Sequence, residues 1–220
     1  MIIKADQNTF FAFDLDDTLY YEFDYLASAY RSIASDIDPL RSMALFNKMI
    51  EIYRSGGNTF SYLVEKYSDK NLSIDKLLFV YRNHIPEMKL KDGVNEMFEK
   101  IKMKKSRIGI ITNGRSITQR NKLSALGILS LMDEILISEE TGFEKPDEAN
   151  YLILMHKYPG FKFLYFGDNP DMDFTAPKRL SWHCIGIRDK RNIHLSDNSK
   201  YNNDCLPDNF ISSFREVEIE

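Results

Sequence analysis

Short apolar runs alternate with helical stripes along most of this chain. Phe10-Phe11-Ala12-Phe13, Ile108-Gly109-Ile110-Ile111 and Phe163-Leu164-Tyr165-Phe166 are each bounded by polar residues. Runs of this length and makeup predict strands buried on both faces, as in a parallel sheet. Ile135-Leu136-Ile137 and Cys184-Ile185-Gly186-Ile187 predict two more strands, and Phe210-Ile211 with Phe214 is expected to bring the tail back onto the sheet. Between the first two runs the period changes from continuous to helical. Leu26, Tyr30, Ile33 and Ile37 step by four, three and four, the spacing of one helix face. Asp38-Pro39 reads as a cap and first-turn proline opening a second helix through Leu45, Met49 and Ile52, ended by Ser55-Gly56-Gly57-Asn58. Phe60, Leu63, Val64 and Tyr67 form a third stripe. Ile74, Leu77, Leu78 and Tyr81, capped by Ser73, form a fourth. Val94, Met97, Phe98 and Ile101 predict the helix that leads back to the strands, with the basic run Lys100–Lys105 at its dipole-favoured C-terminus. The polar segment 197–208 is expected to be an exposed loop. The pattern predicts a doubly wound α/β fold over residues 1–19 and 89–220, interrupted by a helical insertion over 20–88.

The candidate chemistry lies where the strands end. Asp14-Leu15-Asp16-Asp17-Thr18-Leu19 follows the first apolar run, at the carboxyl end where open α/β sheets bind ligands. Two carboxylates brought together there are costly to bury without a cation. Thr112-Asn113-Gly114 follows the second run and offers a hydroxyl and backbone N–H groups suited to phosphate oxygens. Gly142-Phe143-Glu144-Lys145-Pro146-Asp147 supplies a cation. Gly167-Asp168-Asn169-Pro170-Asp171-Met172-Asp173 ends the strand at 163–166 with a glycine that permits close backbone approach and a second acid five residues on.

These four segments, in this order, resemble the signature motifs of the haloacid dehalogenase-like superfamily. The helix-like stretch Gln119–Ile128 after the second motif is similar to its members as well. The resemblance implies a Rossmann-like core, with the helical insertion at 20–88 as a cap domain. It implies Mg²⁺ held by the Asp14 carboxylate, the Asp16 backbone carbonyl and the Asp168 carboxylate. It further implies Asp14 as nucleophile toward phosphorus and Asp16 as general acid and then general base. Thr112, Asn113 and Lys145 would hold the transferring oxygens, and Asp173 would orient a water or Lys145. Asp16 would then be a carboxyl kept partly protonated near neutral pH by neighbouring negative charge. Haloacid dehalogenases of the superfamily lack an Asp at position 16 and transport ATPases carry Thr there, so the resemblance implies a phosphatase. A phosphomutase or a non-catalytic phospholigand-binding module are the alternatives.

Composition narrows the partners. The chain has 220 residues, 43% hydrophobic and 28% charged, enough for a full core and a small accessory domain. A formal net charge of -4 offers no basic surface for nucleic acid. No run approaches the roughly 18 apolar residues of a membrane span, and the start Met1-Ile2-Ile3-Lys4-Ala5-Asp6 lacks a signal-peptide core. Cys184 and Cys205 have no metal or disulfide spacing. A cytoplasmic enzyme acting on a small phosphorylated metabolite is the expectation. Tyr20, Tyr21 and Glu22 stand where they either border the site or pack, and Arg115 stands where it either reaches a second anionic group or faces solvent.

Overall fold

A computed structural model describes residues 1–192 and 201–220. The chain forms two compact units, Met1–Glu22 with Lys89–Glu220, and Phe23–Met88.

The first unit is built on six parallel strands: β2 (Thr9–Phe13), β3 (Arg107–Thr112), β4 (Glu134–Ile137), β5 (Lys162–Gly167), β6 (His183–Ile187) and β7 (Asn209–Ile211). Their spatial order is β4-β3-β2-β5-β6-β7. The chain therefore steps outward from β2 in one direction and then crosses back to the other side. That reversal lies between β2 and β5, and a crevice forms at the carboxyl ends of strands on either side of such a switch point. Pairing of Phe13 with Ile110 and with Phe166 puts Asp14, Thr112 and Asp168 at the same end of three adjacent strands.

All five residues of β2 are buried, because side chains alternate between two covered faces. Phe10 and Ala12 pack with Tyr151, Leu154, Phe174, Ala176 and Trp182, which come from α8 (Ala149–Lys157), from α9 (Thr175–Arg179) and from beside α9. On the opposite face Phe13 meets Phe98 of α5 (Val94–Met103) edge-on at 5.2 Å and stacks on Phe166 at 4.8 Å. Burying each such ring stabilises the sheet by about 1.5–3 kcal/mol. The stripe Val94, Met97, Phe98 and Ile101 is buried as its period requires. Two short strands complete this unit: β1 (Ile2–Ile3) and β8 (Glu218–Ile219) pair in parallel as a separate sheet. Of the expected loop at 197–208, residues 197–200 lie outside the described residues. Asn203–Cys205 is a 3₁₀ turn, and Asn202, Asn203, Asp204 and Asp208 are exposed.

The second unit is helical: α1 (Glu22–Ile37, beginning one residue before it), α2 (Ser42–Arg54), α3 (Thr59–Lys66) and α4 (Ile74–Asn83). Its core joins Leu26, Tyr30, Ile33 and Ile37 to Leu45, Met49, Leu63 and Leu77. Asn58 accepts from Ser61 N at 3.0 Å and Ser73 from Lys76 N at 3.2 Å, each cap being worth about 1 kcal/mol. Asp38-Pro39 departs from the expectation. Asp38 caps a 3₁₀ turn, Pro39–Arg41, and α2 starts only at Ser42.

Candidate active site

A pocket opens at the carboxyl ends of β2, β3 and β5, with an interior volume of about 140 Å³. Asp14, Asp16, Thr112, Asn113, Lys145, Asp168 and Asp173, all singled out by sequence, line it. The strand ends deliver the first, second and fourth motifs. The segment between α7 (Ser138–Thr141) and α8 delivers Lys145.

Lys145 is the hub. Its buried ammonium lies 2.5 Å from Asp14 Oδ1, 2.7 Å from Asp173 Oδ1 and 3.2 Å from the Tyr165 hydroxyl. Burial alone would lower its proton affinity, but Asp14 and Asp173 outweigh that and hold it well above the ordinary lysine range. Asp173 Oδ2 accepts the backbone N–H groups of Asp168 and Asn169 at 3.1 and 2.9 Å. Asp173 is thus saturated with donors and fixes both Lys145 and the loop that carries Asp168. Gly167 makes this possible: a Cβ on it would fall 2.6 Å from Asp173 Cγ.

Asp14, Asp168 and Asp173 each offer an oxygen, and these oxygens all lie within 4.8 Å of one another. Burial raises the Asp14 carboxyl to about 7; Lys145 opposes the rise while Asp173 and Asp16 add to it. Asp168 is pushed up to about 9 by burial, with Asp173, Asp14 and Asp17 adding repulsion and Thr18 Oγ1 3.2 Å from its Oδ1. Carboxylates so crowded resist ionisation unless a cation joins them. An all-oxygen donor set of this kind suits a hard divalent ion such as Mg²⁺.

Asp16 differs from the expectation of a partly protonated carboxyl. Burial would raise it, but Lys122 Nζ lies 2.6 Å from Oδ1, Gln119 Nε2 donates to Oδ2 at 2.8 Å, and the Tyr20 hydroxyl donates to Oδ1. Together these donors hold it below the usual carboxylate value, because an adjacent ammonium outweighs the neighbouring negative charge. Gln119 and Lys122 come from α6 (Ser116–Ala125), where both are buried beside Leu123. Sequence reasoning passed over them. Their signal was a Gln and a Lys on the i, i+3, i+4 stripe that a core-facing helix ordinarily fills with apolar residues.

Gln119 Nε2 also donates to Thr112 Oγ1 at 2.7 Å. The Asn113 side chain exchanges two hydrogen bonds with the Lys145 main chain, at 2.8 and 3.1 Å. Its amide therefore ties the second motif to the third, at the edge of the pocket that Asn113 helps to line. Lys91, also overlooked, is buried; its ammonium donates to the Asp17 carbonyl and, at 2.7 Å, to Asn192 Oδ1. Glu22 lines the pocket. Arg115 does not, and pairs at 3.3 Å with Glu139 on the surface.

The sequence pattern of haloacid dehalogenase-like hydrolases matches residues 11–187. A glyceraldehyde 3-phosphate phosphatase of Methanocaldococcus jannaschii is 30% identical over 191 residues, covering 80% of this chain and 82% of its own. Among solved structures, the HAD-hydrolase YfnB of Bacillus subtilis bound to magnesium superimposes with a TM-score of 0.62 at 20% identity, over 94% of this chain and 96% of its own. A 2-haloacid dehalogenase of Pseudomonas syringae gives 0.60 at 20% identity, over 94% and 95%. These structures share the fold while differing in named chemistry, and the sequence match spans all four motif segments. The chain belongs to the haloacid dehalogenase-like hydrolases.

Proposed function

We propose that this protein is a Mg²⁺-dependent phosphomonoester hydrolase working through an aspartyl-phosphate on Asp14. The observation that carries the reading is the buried contact of Asp14 with Lys145 in a pocket that also gathers Asp168, Asp173 and Thr112. The family membership and the phosphatase relative support it.

The Asp14 and Asp168 carboxylates and the Asp16 backbone carbonyl would hold the ion, which when bound neutralises phosphate charge. Asp14 attacks phosphorus in line, forming the Asp14–phosphorus bond as the ester P–O bond breaks. Lys145 and Thr112 bind the equatorial oxygens, whose charge they offset throughout. The departing alkoxide takes a proton from the Asp16 carboxyl. Asp16 rests ionised beside Lys122, which orients it at 2.6 Å, and the charge of a bound phosphate favours its taking up the proton that it then delivers. Water then attacks the aspartyl-phosphate, giving its proton back to Asp16 and releasing inorganic phosphate and free Asp14. The helical unit Phe23–Met88, inserted between the first two motifs, is assigned the part of a cap that excludes water from the reaction. Substrates are small phosphorylated metabolites, and glyceraldehyde 3-phosphate, named for the relative, is the first to try.

The test is phosphate release from p-nitrophenyl phosphate and glyceraldehyde 3-phosphate, with Mg²⁺ and with chelator. Release should require the metal and should vanish in Asp14→Asn with the thermal melt retained. An Asp14→Asn protein that keeps most of its turnover would remove Asp14 as nucleophile.

A further inference from the structure

Three lysines are buried among the described residues: Lys91, Lys122 and Lys145. Lys122 meets the Asp16 carboxylate, and Lys145 those of Asp14 and Asp173. Lys91 meets neutral oxygens instead. Its ammonium donates to the Asp17 backbone carbonyl and, at 2.7 Å, to Asn192 Oδ1, and lies 4.6 Å from the centre of the Tyr21 ring. Burying an ammonium on neutral acceptors is costly, and a methionine would fill the same space without that cost. Resting on the phosphatase reading above, we propose that Lys91 is a positioning residue for Asp16, acting through the Asp17 carbonyl, and that Asn192 holds the lysine in place.

The conformation of Asp17 is the reason. Its φ of 54° lies in the left-handed region, which residues with a side chain rarely adopt. Peptide units are planar, so this angle sets how the Asp16–Asp17 peptide is turned against the Asp17 carbonyl. Lys91 grips that carbonyl, while the Asp17 carboxylate accepts the Glu22 backbone N–H at 2.8 Å. The turn is held from both sides, and Asp16 keeps its carboxyl 2.6 Å from Lys122 and 2.8 Å from Gln119. Without the ammonium, Asp17 is free to relax toward negative φ, and the peptide it shares with Asp16 rotates. Lys91 is fixed in its turn. Its backbone N–H donates to the Leu19 carbonyl at 2.8 Å, and Asn192 reaches it from the segment after β6. The same segment secures Tyr21: Asp189 accepts from its hydroxyl at 2.5 Å, and the Arg191 guanidinium stacks 3.9 Å from the ring centre. All of these residues belong to the first unit.

The test uses the full chain with saturating Mg²⁺ and measures kcat/KM for glyceraldehyde 3-phosphate and p-nitrophenyl phosphate, with the thermal melt beside each. The alkyl oxygen needs the proton that Asp16 delivers, whereas nitrophenolate leaves without it. Lys91→Met should therefore lose at least about tenfold on the alkyl ester and less than about threefold on the aryl one. Asn192→Ala should show the same bias at about threefold, and Asn192→Asp, which keeps the acceptor, a smaller one. In the Lys91→Met background Asn192→Ala should add nothing, because it acts through the lysine. Equal losses on the two esters, or no loss in Lys91→Met, overturn the role of Lys91. Should Lys91→Met not fold, an Asn192→Ala protein without the alkyl bias overturns it. If wild type releases phosphate from neither ester, the phosphatase reading itself falls.

Discussion

Asp16 shows how one residue's chemistry depends on neighbours that its own motif does not contain. Sequence placed it beside Asp14 and Asp17 and so suggested a raised proton affinity, but the decisive neighbour is Lys122, 106 positions later. Removing that cation leaves burial to dominate, so Lys122→Met should raise the Asp16 proton affinity and shift the acidic limb of the kcat–pH profile upward. Losing the cation that orients Asp16, the group that serves the leaving oxygen, is expected to lower kcat about tenfold to a hundredfold. The loss should be greater for alkyl phosphates, whose leaving oxygen needs the proton, than for p-nitrophenyl phosphate. Equal losses on both would make Lys122 a packing residue only. The pocket positions of Asp14, Thr112 and Asp168 were legible because each ends or directly follows an apolar run, whereas Lys145 and Asp173 stand farther from any such run and were singled out through the motif resemblance. Gln119, Lys122 and Lys91 were not, since a buried polar side chain on a helix or loop is defined by the partner it reaches across the fold.

The strand ends are the elements that position the pocket side chains, and at the end of β5 Gly167 leaves no room for a methyl. Gly167→Ala would put a methyl 2.6 Å from Asp173 Cγ and Oδ2, and that carboxylate is held by Lys145, Tyr165 and two backbone N–H groups. Displacing it should cost about 1–3 kcal/mol of stability, as overpacking does, and disorient Lys145. Turnover should fall at least about a hundredfold, read as kcat in steady-state assays with the melt recorded beside it. Strands and amphipathic helices were readable because continuous and 3.6-residue periods differ plainly. The start of α2 was misplaced by three residues because Asp38-Pro39 serves a 3₁₀ turn as well as it serves an α-helix. The β1–β8 pair went unread, because two residues at each end of the chain carry no period.

At the scale of the whole molecule, the acidic pocket couples stability to pH and metal. Asp14 at about 7 and Asp168 at about 9 are both raised above the unfolded value near 4. A raised carboxyl stabilises the fold fully below the unfolded value and loses that contribution as pH climbs through the folded one. Metal-free protein should therefore lose stability between about pH 5 and 9. Mg²⁺ should restore more of it at the alkaline end, where it no longer competes with protons. The melting-temperature gain from saturating Mg²⁺ should be larger at pH 8.5 than at pH 6.0; equal gains would place the ion elsewhere. The path of the chain at the insertion has a different bearing. Tyr20 and Leu90 form an antiparallel bridge, and Lys91 N donates to the Leu19 carbonyl at 2.8 Å. The backbone thus departs and re-enters about 5 Å apart, a gap that a tight hairpin closes. The chain leaves and returns at one paired place, so a replacement of the intervening segment that keeps the Tyr20–Leu90 pairing should leave the register of β2 against β3 unchanged.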